Sequence, residues 1–237
     1  MLLALPALLA FSACGDKKDE PVPAQSRVKF VHASYVNSLR PLKASVGAQT
    51  GPTIAYGADT PYQTVAAGSQ VVKVDIASTG GSNVYSAPQT LGQDKAYTFF
   101  AYDAAGQPAG TVAGLLAEDN LTAPAAGKAK VRLVHVGFGL DSPLSLARVP
   151  QGGGALAAVT TPVAAGAASA FVDIDAGTGS YNLANSNNAS IQPAFGASVL
   201  GTPFVAGGIY SIVIRGTTNT IAPTDTEKFT LQLIKHN

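Results

Sequence analysis

Three residues have types and placings that could do chemistry: one cysteine and two histidines. Cys14 is the chain's only cysteine. A lone thiol can act as a nucleophile, a metal ligand or a point of covalent attachment. His32 ends the run Arg27-Val28-Lys29-Phe30-Val31-His32, and His135 ends Lys130-Val131-Arg132-Leu133-Val134-His135. An imidazole at the same place in two like segments could be an acid–base group or a ligand. Either role needs a carboxylate or a second histidine nearby, and no such partner recurs at matched positions. Each histidine shares its alternation face with Val28 and Phe30, or with Val131 and Leu133. The expected role is an imidazole at a core edge that bonds backbone and pins a loop. Tyr97 and Tyr210 each open a late strand, where a tyrosine packs inside and bonds backbone across a corner.

The flank of Cys14 gives its chemistry a direction. Residues 2–13 read LLALPALLAFSA, and Gly15-Asp16-Lys17-Lys18-Asp19-Glu20 follows the cysteine. The apolar run is well short of the roughly 20 residues a membrane-spanning helix needs, and Pro6 interrupts it. It resembles a bacterial lipoprotein signal. The resemblance implies cleavage after residue 13, with lipid on the Cys14 thiol and on its new amino group. No basic segment opens the run, so the natural start is expected upstream of Met1. Gly15 rather than an aspartate follows the cysteine, and the charged stretch 16–20 resembles surface-export tags. The expected address is the outer membrane, lipid-anchored, at the cell surface. Residues 14–26, with Pro21 and Pro23, read as the lipidated cysteine and a polar tether.

Composition narrows the remaining classes. Charged residues make up 12% of the chain and the formal net charge is +1, so nothing favours nucleic acid as a partner. With 46% hydrophobic residues the chain is not a disordered one. Beyond residue 14 there is no thiol, which excludes disulfides and thiolate metal sites from the folded part. Abundant Gly, Pro, Thr, Ser and Asn without strong amphipathic helices point to an all-β envelope protein.

The positioning elements repeat. The two basic-Val-basic-apolar-Val-His runs are followed by matching later segments. Pro61–Gly68 resembles Ala170–Gly177, and Tyr97–Ala101 resembles Tyr210–Ile214. The offset is roughly one hundred residues, the size of one β-sandwich domain. The fold class expected is all-β, with two tandem Ig-like β-sandwich domains. Repeat 1 spans 27–118, a linker 119–128, and repeat 2 spans 129–237. Strict alternation in Arg27–Ala33 predicts a half-buried strand. Ala66-Ala67-Gly68 predicts a hairpin between strands 62–65 and 69–76.

Other chemistry is thin. Asp173 and Asp175 before Gly177 hint at a calcium loop, but the fifth and twelfth positions are Gly177 and Ala184 rather than oxygen ligands. They read as exposed strand carboxylates, and no cofactor or metal is expected. Carbohydrate binding favours exposed aromatic platforms; the chain has no Trp and 7% aromatics. Tyr35, Tyr56 and Tyr181, near loops or strand ends, are the best candidates for such a platform. Gly-x-Ser-x-Gly, His-Glu-x-x-His and phosphate-loop motifs are absent from the sequence. Asn120-Leu121-Thr122 and Asn188-Ala189-Ser190 fit the glycosylation sequon, which a bacterial lipoprotein is expected to leave unmodified.

The stretch EDNLTAPAAGKAKVRLVHVG, residues 118–137, closely resembles a repeat junction in the family called domain of unknown function 4397. Val31-His32-Ala33-Ser34, Ala66-Ala67-Gly68 and Asp94-Lys95-Ala96-Tyr97-Thr98 resemble further family motifs. The resemblance covers roughly 27–237. It implies an envelope protein, often a lipoprotein, built of β-sandwich repeats, and it carries over no catalytic residue. The expected function is non-enzymatic: a surface-displayed module for binding, adhesion or structure, with an extracellular protein or glycan as partner. A polysaccharide-binding accessory lipoprotein is the alternative.

Overall fold

The structure, a computed structural model, describes residues 23–78, 81–108, 111–140, 142–152, 154–177, 179–185, 204–217 and 228–237. Cys14, the apolar run before it, the sequon at 188–190 and most of residues 182–201, whose Ser, Asn and Gly content reads as the variable surface of repeat 2, lie outside these residues.

Among the described residues the fold is all-β, sandwich-like and without a helix. The N-terminal half carries β1 (Gln25–His32), β2 (Leu42–Val46), β3 (Gln49–Ile54), β4 (Gln63–Ala66), β5 (Gly68–Ile76), β6 (Asn83–Leu91), β7 (Ala96–Tyr102) and β8 (Ala113–Glu118). The C-terminal half carries β9 (Lys128–His135), β10 (Ser145–Arg148), β11 (Ala157–Ala158), β12 (Ala167–Ala168), β13 (Val172–Asp175), β14 (Tyr181–Ala184), β15 (Ile209–Arg215) and β16 (Thr230–Lys235).

Four sheets stack in layers. The outer two are β3-β2-β5-β6 and β11-β10-β14, and the inner two are β4-β1-β7-β8 and β12-β9-β15-β16, with β13 also on β9. In each inner sheet a parallel pair forms the centre: β1 with β7, and β9 with β15. An antiparallel strand flanks each pair on either side. These central strands are rich in Val, Phe, Tyr and Ile, which suit a pleated surface buried on both faces.

Three cores separate the layers. Val28, Phe30, Val72 and Phe99 anchor the N-terminal one, and Val131, Leu133, Leu146 and Ile212 the C-terminal one. A third core lies between the inner sheets, where Val31, Ala33 and Phe100 meet Val134, Val136, Val213 and Ile234.

The structure departs from two expectations. β1 is not half-buried: Lys29 and Val31, on its second face, are also buried, because the other half packs over them. Nor is Ala66–Gly68 a hairpin. β4 pairs with β1, whereas β5 pairs with β2 and β6. The turn, with Gly68 at φ 93°, carries the chain from the inner sheet to the outer one.

Candidate functional site

The paired histidines sit where β1 and β9 end. His32 is buried, and its Nε2 lies 3.1 Å from the carbonyl oxygen of Arg40. Burial lowers its pKa to about 4, so the ring is neutral. His135 is fully buried in the matching place, and its carbonyl accepts the Gly166 N–H at 2.7 Å, as that of His32 accepts Gly57 N–H at 2.8 Å. Tyr97 Oη accepts the Gly92 N–H at 2.9 Å, and Tyr210 Oη accepts the Val205 N–H at 3.3 Å. Each tyrosine thus closes a corner five residues upstream of itself.

The three tyrosines read as a binding platform do not form one. Tyr181 is only 3% exposed and packs edge-on to Phe204 in the C-terminal core; the strand-end position that suggested exposure is roofed by that ring. Tyr56 lies between His32, at 5.6 Å, and the Arg215 guanidinium, 4.6 Å above its ring. Tyr35 rests against Phe138 at 5.6 Å. Asp173 and Asp175 are exposed and bond the Ala125 N–H and Lys128 Nζ. Among the described residues no group of three His, Cys, Asp or Glu side chains could hold a metal.

The main polar assembly lies between the two inner sheets. Arg132 on β9 donates from Nη2 to Asp119 Oδ1, from Nη1 to the carbonyl of Glu118 at 2.8 Å, and from Nε to Ser211 Oγ at 2.7 Å. Ser211 Oγ lies 2.7 Å from His236 Nε2, and His236 Nδ1 lies 2.7 Å from Tyr62 Oη. Tyr62 Oη donates to Asp119 Oδ2 at 2.7 Å, as does Thr98 Oγ1 at 2.7 Å. One direction of donation satisfies the circuit: Arg132 to Ser211, Ser211 to His236, His236 to Tyr62, Tyr62 to Asp119. It requires His236 neutral with its proton on Nδ1. Burial, only partly opposed by Asp119, lowers the His236 pKa to about 4. Burial likewise pushes the Tyr62 hydroxyl above its ordinary range, with Asp119 adding to the effect. Phe171 caps the assembly, 4.6 Å below the Arg132 guanidinium and edge-on to His236.

Ser211, His236 and Asp119 have the composition of a hydrolytic triad, but the geometry argues against that chemistry. His236 Nδ1 is 3.9 Å from Asp119 Oδ2, with the Tyr62 hydroxyl bonded to both. The side chains of Asp119 and His236 are sealed from solvent, Ser211 is fully buried, and its Oγ already accepts from Arg132. A nucleophile must reach a substrate carbonyl, and this one has no path to one. The assembly holds the halves together.

Sequence reasoning passed over these residues. The available signal was the second basic position of each matching run, Lys29 and Arg132. A cation that recurs on an apolar strand marks a buried partner. Lys29 bonds Asp59 Oδ2 at 2.7 Å and the carbonyl of Lys235 at 3.0 Å, as Arg132 bonds that of Glu118.

The opposite end of the inner sheets carries the loop that follows β1. Asp103 Oδ1 accepts Ser34 Oγ at 2.7 Å, Oδ2 accepts the Val36 N–H at 3.3 Å, and Asn37 Nδ2 bonds Ser34 Oγ at 3.0 Å. With His32 on Arg40, this clamps the loop at both ends. Its apex exposes Val36 (53%) and Leu39 (87%).

Residues 35–140 match the family described as Domain of unknown function (DUF4397). The match opens after β1 and closes after β9, a narrower span than the resemblance read from the motifs. None of the curated proteins matches the chain.

Proposed function

We propose that this chain is a cell-envelope lipoprotein, anchored in the outer membrane by lipid on Cys14 and displayed at the cell surface. In this reading it is a non-enzymatic binding or adhesion module, built of two tandem copies of one Ig-like β-sandwich. The observation that carries the binding role is the clamped loop 34–41, which lifts Val36 and Leu39 into solvent. The chain enters the fold at the start of β1, and the loop lies at that strand's other end, roughly 25 Å away at about 3.3 Å per residue. An anchor on the tether would leave this apex facing outward. Rigid sheets presenting loops are the usual basis of recognition in such folds.

The tandem reading is supported by the like sequence runs, the like strand pairings and the paired tyrosine corners. The lipid reading is supported by the flank of Cys14. The test is the intact mass of the protein taken from membranes, together with protease shaving of whole cells. A lipid mass on Cys14 and loss of the protein on shaving are the expected results. An unmodified, soluble Cys14 overturns the anchoring, and a lipidated protein resistant to shaving overturns surface display.

A further inference from the structure

A second feature of the loop end is a cleft of about 370 Å³ between the two halves. This is within the size range of small-molecule sites, which often form between domains. Its walls include Tyr102 from the N-terminal half and Phe138 from the C-terminal half, and Gly137, Gly139 and Gly166 also line it. The Tyr102 hydroxyl lies over Gly166, where a Cβ would approach it to 2.6 Å. Asp103 also lines the cleft and is 7% exposed.

Asp103 is the unusual member. Among the described residues no cation forms an ion pair with it. Its carboxylate accepts from Ser34 Oγ, the Val36 N–H and the Tyr35 N–H, which leaves about one of its roughly four acceptor sites open. Burial raises its pKa, against the hydrogen bonds that favour the ion. A desolvated carboxylate without a counter-charge is costly, and a cation brought beside it relieves the cost. Tyr102 and Phe138 line the same cleft, and aromatic rings attract the same kind of group.

We propose that this cleft binds an organic cation, the ammonium of an amine or of a lysine side chain, with Asp103 as counter-charge and Tyr102 and Phe138 as aromatic walls. The proposal rests on the binding reading above and names the chemistry its loop end would take.

The test is a titration of the full chain carrying Cys14→Ser, followed by the backbone amide resonances of Gly137, Gly139 and Gly166. Three probes are used: butylamine, an acetyl-Gly-Lys-Gly-amide peptide, and the same peptide with norleucine for lysine. Saturable shifts at these glycines with either cation, and not with norleucine, are expected. Butylamine activity points to a free amine as sufficient, and peptide activity alone points to a protein side chain. Asp103→Asn should weaken binding at least tenfold. Because that change also touches the loop clamp, Phe138→Leu is the companion; it should weaken binding about threefold by loss of the cation–π contact. Absence of saturable shifts with both cations, equal shifts with norleucine, or full affinity in Asp103→Asn overturns the proposal. Since no membrane is involved, these outcomes are independent of the anchoring test.

Discussion

Asp119 and His236 hold the same station in the two halves and are both bonded to one hydroxyl, that of Tyr62. Asp119 follows β8, and its N–H donates to the Ala96 carbonyl at 2.7 Å; His236 follows β16, and its N–H donates to Ile209 at 2.9 Å. The same correspondence links Lys29 with Arg132 and Thr98 with Ser211 through the β1–β7 and β9–β15 registers. The halves therefore meet through like faces, as subunits do across a two-fold axis. Near such an axis identical residues confront one another, and two carboxylates at 3.9 Å would raise one another's pKa. An imidazole in place of the second carboxylate removes that conflict and turns a self-facing surface into a complementary one.

Arg132→Ala tests how much the joint depends on this pair. Its side chain and that of Asp119 are 1% and 0% exposed. Removing the guanidinium strands a buried carboxylate, a change that costs about 3–5 kcal/mol. The urea midpoint of the full chain should fall accordingly. A loss within the ordinary surface range of about 0.5 kcal/mol would mean that water reaches Asp119.

Tyr62→Phe removes one oxygen and keeps the ring. Asp119 Oδ2 retains Thr98 as a donor, but His236 Nδ1 loses its partner. The expected loss is about 1–3 kcal/mol, the usual cost of one unsatisfied buried polar group. Thermal melts of the parent and the variant would measure it; unchanged melting would show that the hydroxyl is dispensable to the circuit.

The sequence was most legible where one strand could be read alone. Alternation located β1, and the segments that repeat between the halves located β7, β9 and β15, since both signals are local. Neither showed β3 (Gln49–Ile54) or β6 (Asn83–Leu91), whose exposed and Pro-containing stretches lack a continuous apolar pattern. The site was much less legible. Lys29 fell on the outer face of a strand read as half-buried, because alternation records two faces but not that a second sheet covers the polar one; Arg132 holds the matching place on β9. Asp119 fell in a stretch read as linker. His236 has no sequence neighbour that local pattern would pair with it, and only the stacking of the halves brings it to Tyr62.

Gly57 and Gly166 give a matched pair of backbone tests. They have φ of 75° and 77°. A Cβ on Gly57 would approach Arg215 Nη2 to 2.7 Å, and one on Gly166 would approach Tyr102 Oη to 2.6 Å. Each glycine thus lets a side chain of the opposite half lie close to its backbone. Alanine at either position meets both the left-handed strain and that side chain, and should cost about 1–3 kcal/mol. If only one variant is destabilised, the joint is less symmetric than the contacts indicate.

Acid should destabilise the fold through its buried histidines. His32 and His236 both have folded pKa values lowered from 6.5 to about 4 by burial. Below 6.5 the unfolded chain takes up protons that the folded chain refuses until about pH 4. The stability from keeping these rings neutral is therefore complete above 6.5 and falls as acid is added through that window. At about 1.4 kcal/mol per pH unit for each ring, the loss approaches roughly 3 kcal/mol per histidine. Asp103 acts in the opposite direction, since burial raises its folded pKa and acid then relieves its charge. One carboxylate does not offset two histidines. The urea midpoint should therefore drop between about pH 7 and about pH 4.5, and His32→Gln, which keeps a donor for the Arg40 carbonyl, should make that drop roughly half as steep. A flat parent profile over that range would sink the claim that both imidazoles are held neutral in the folded protein.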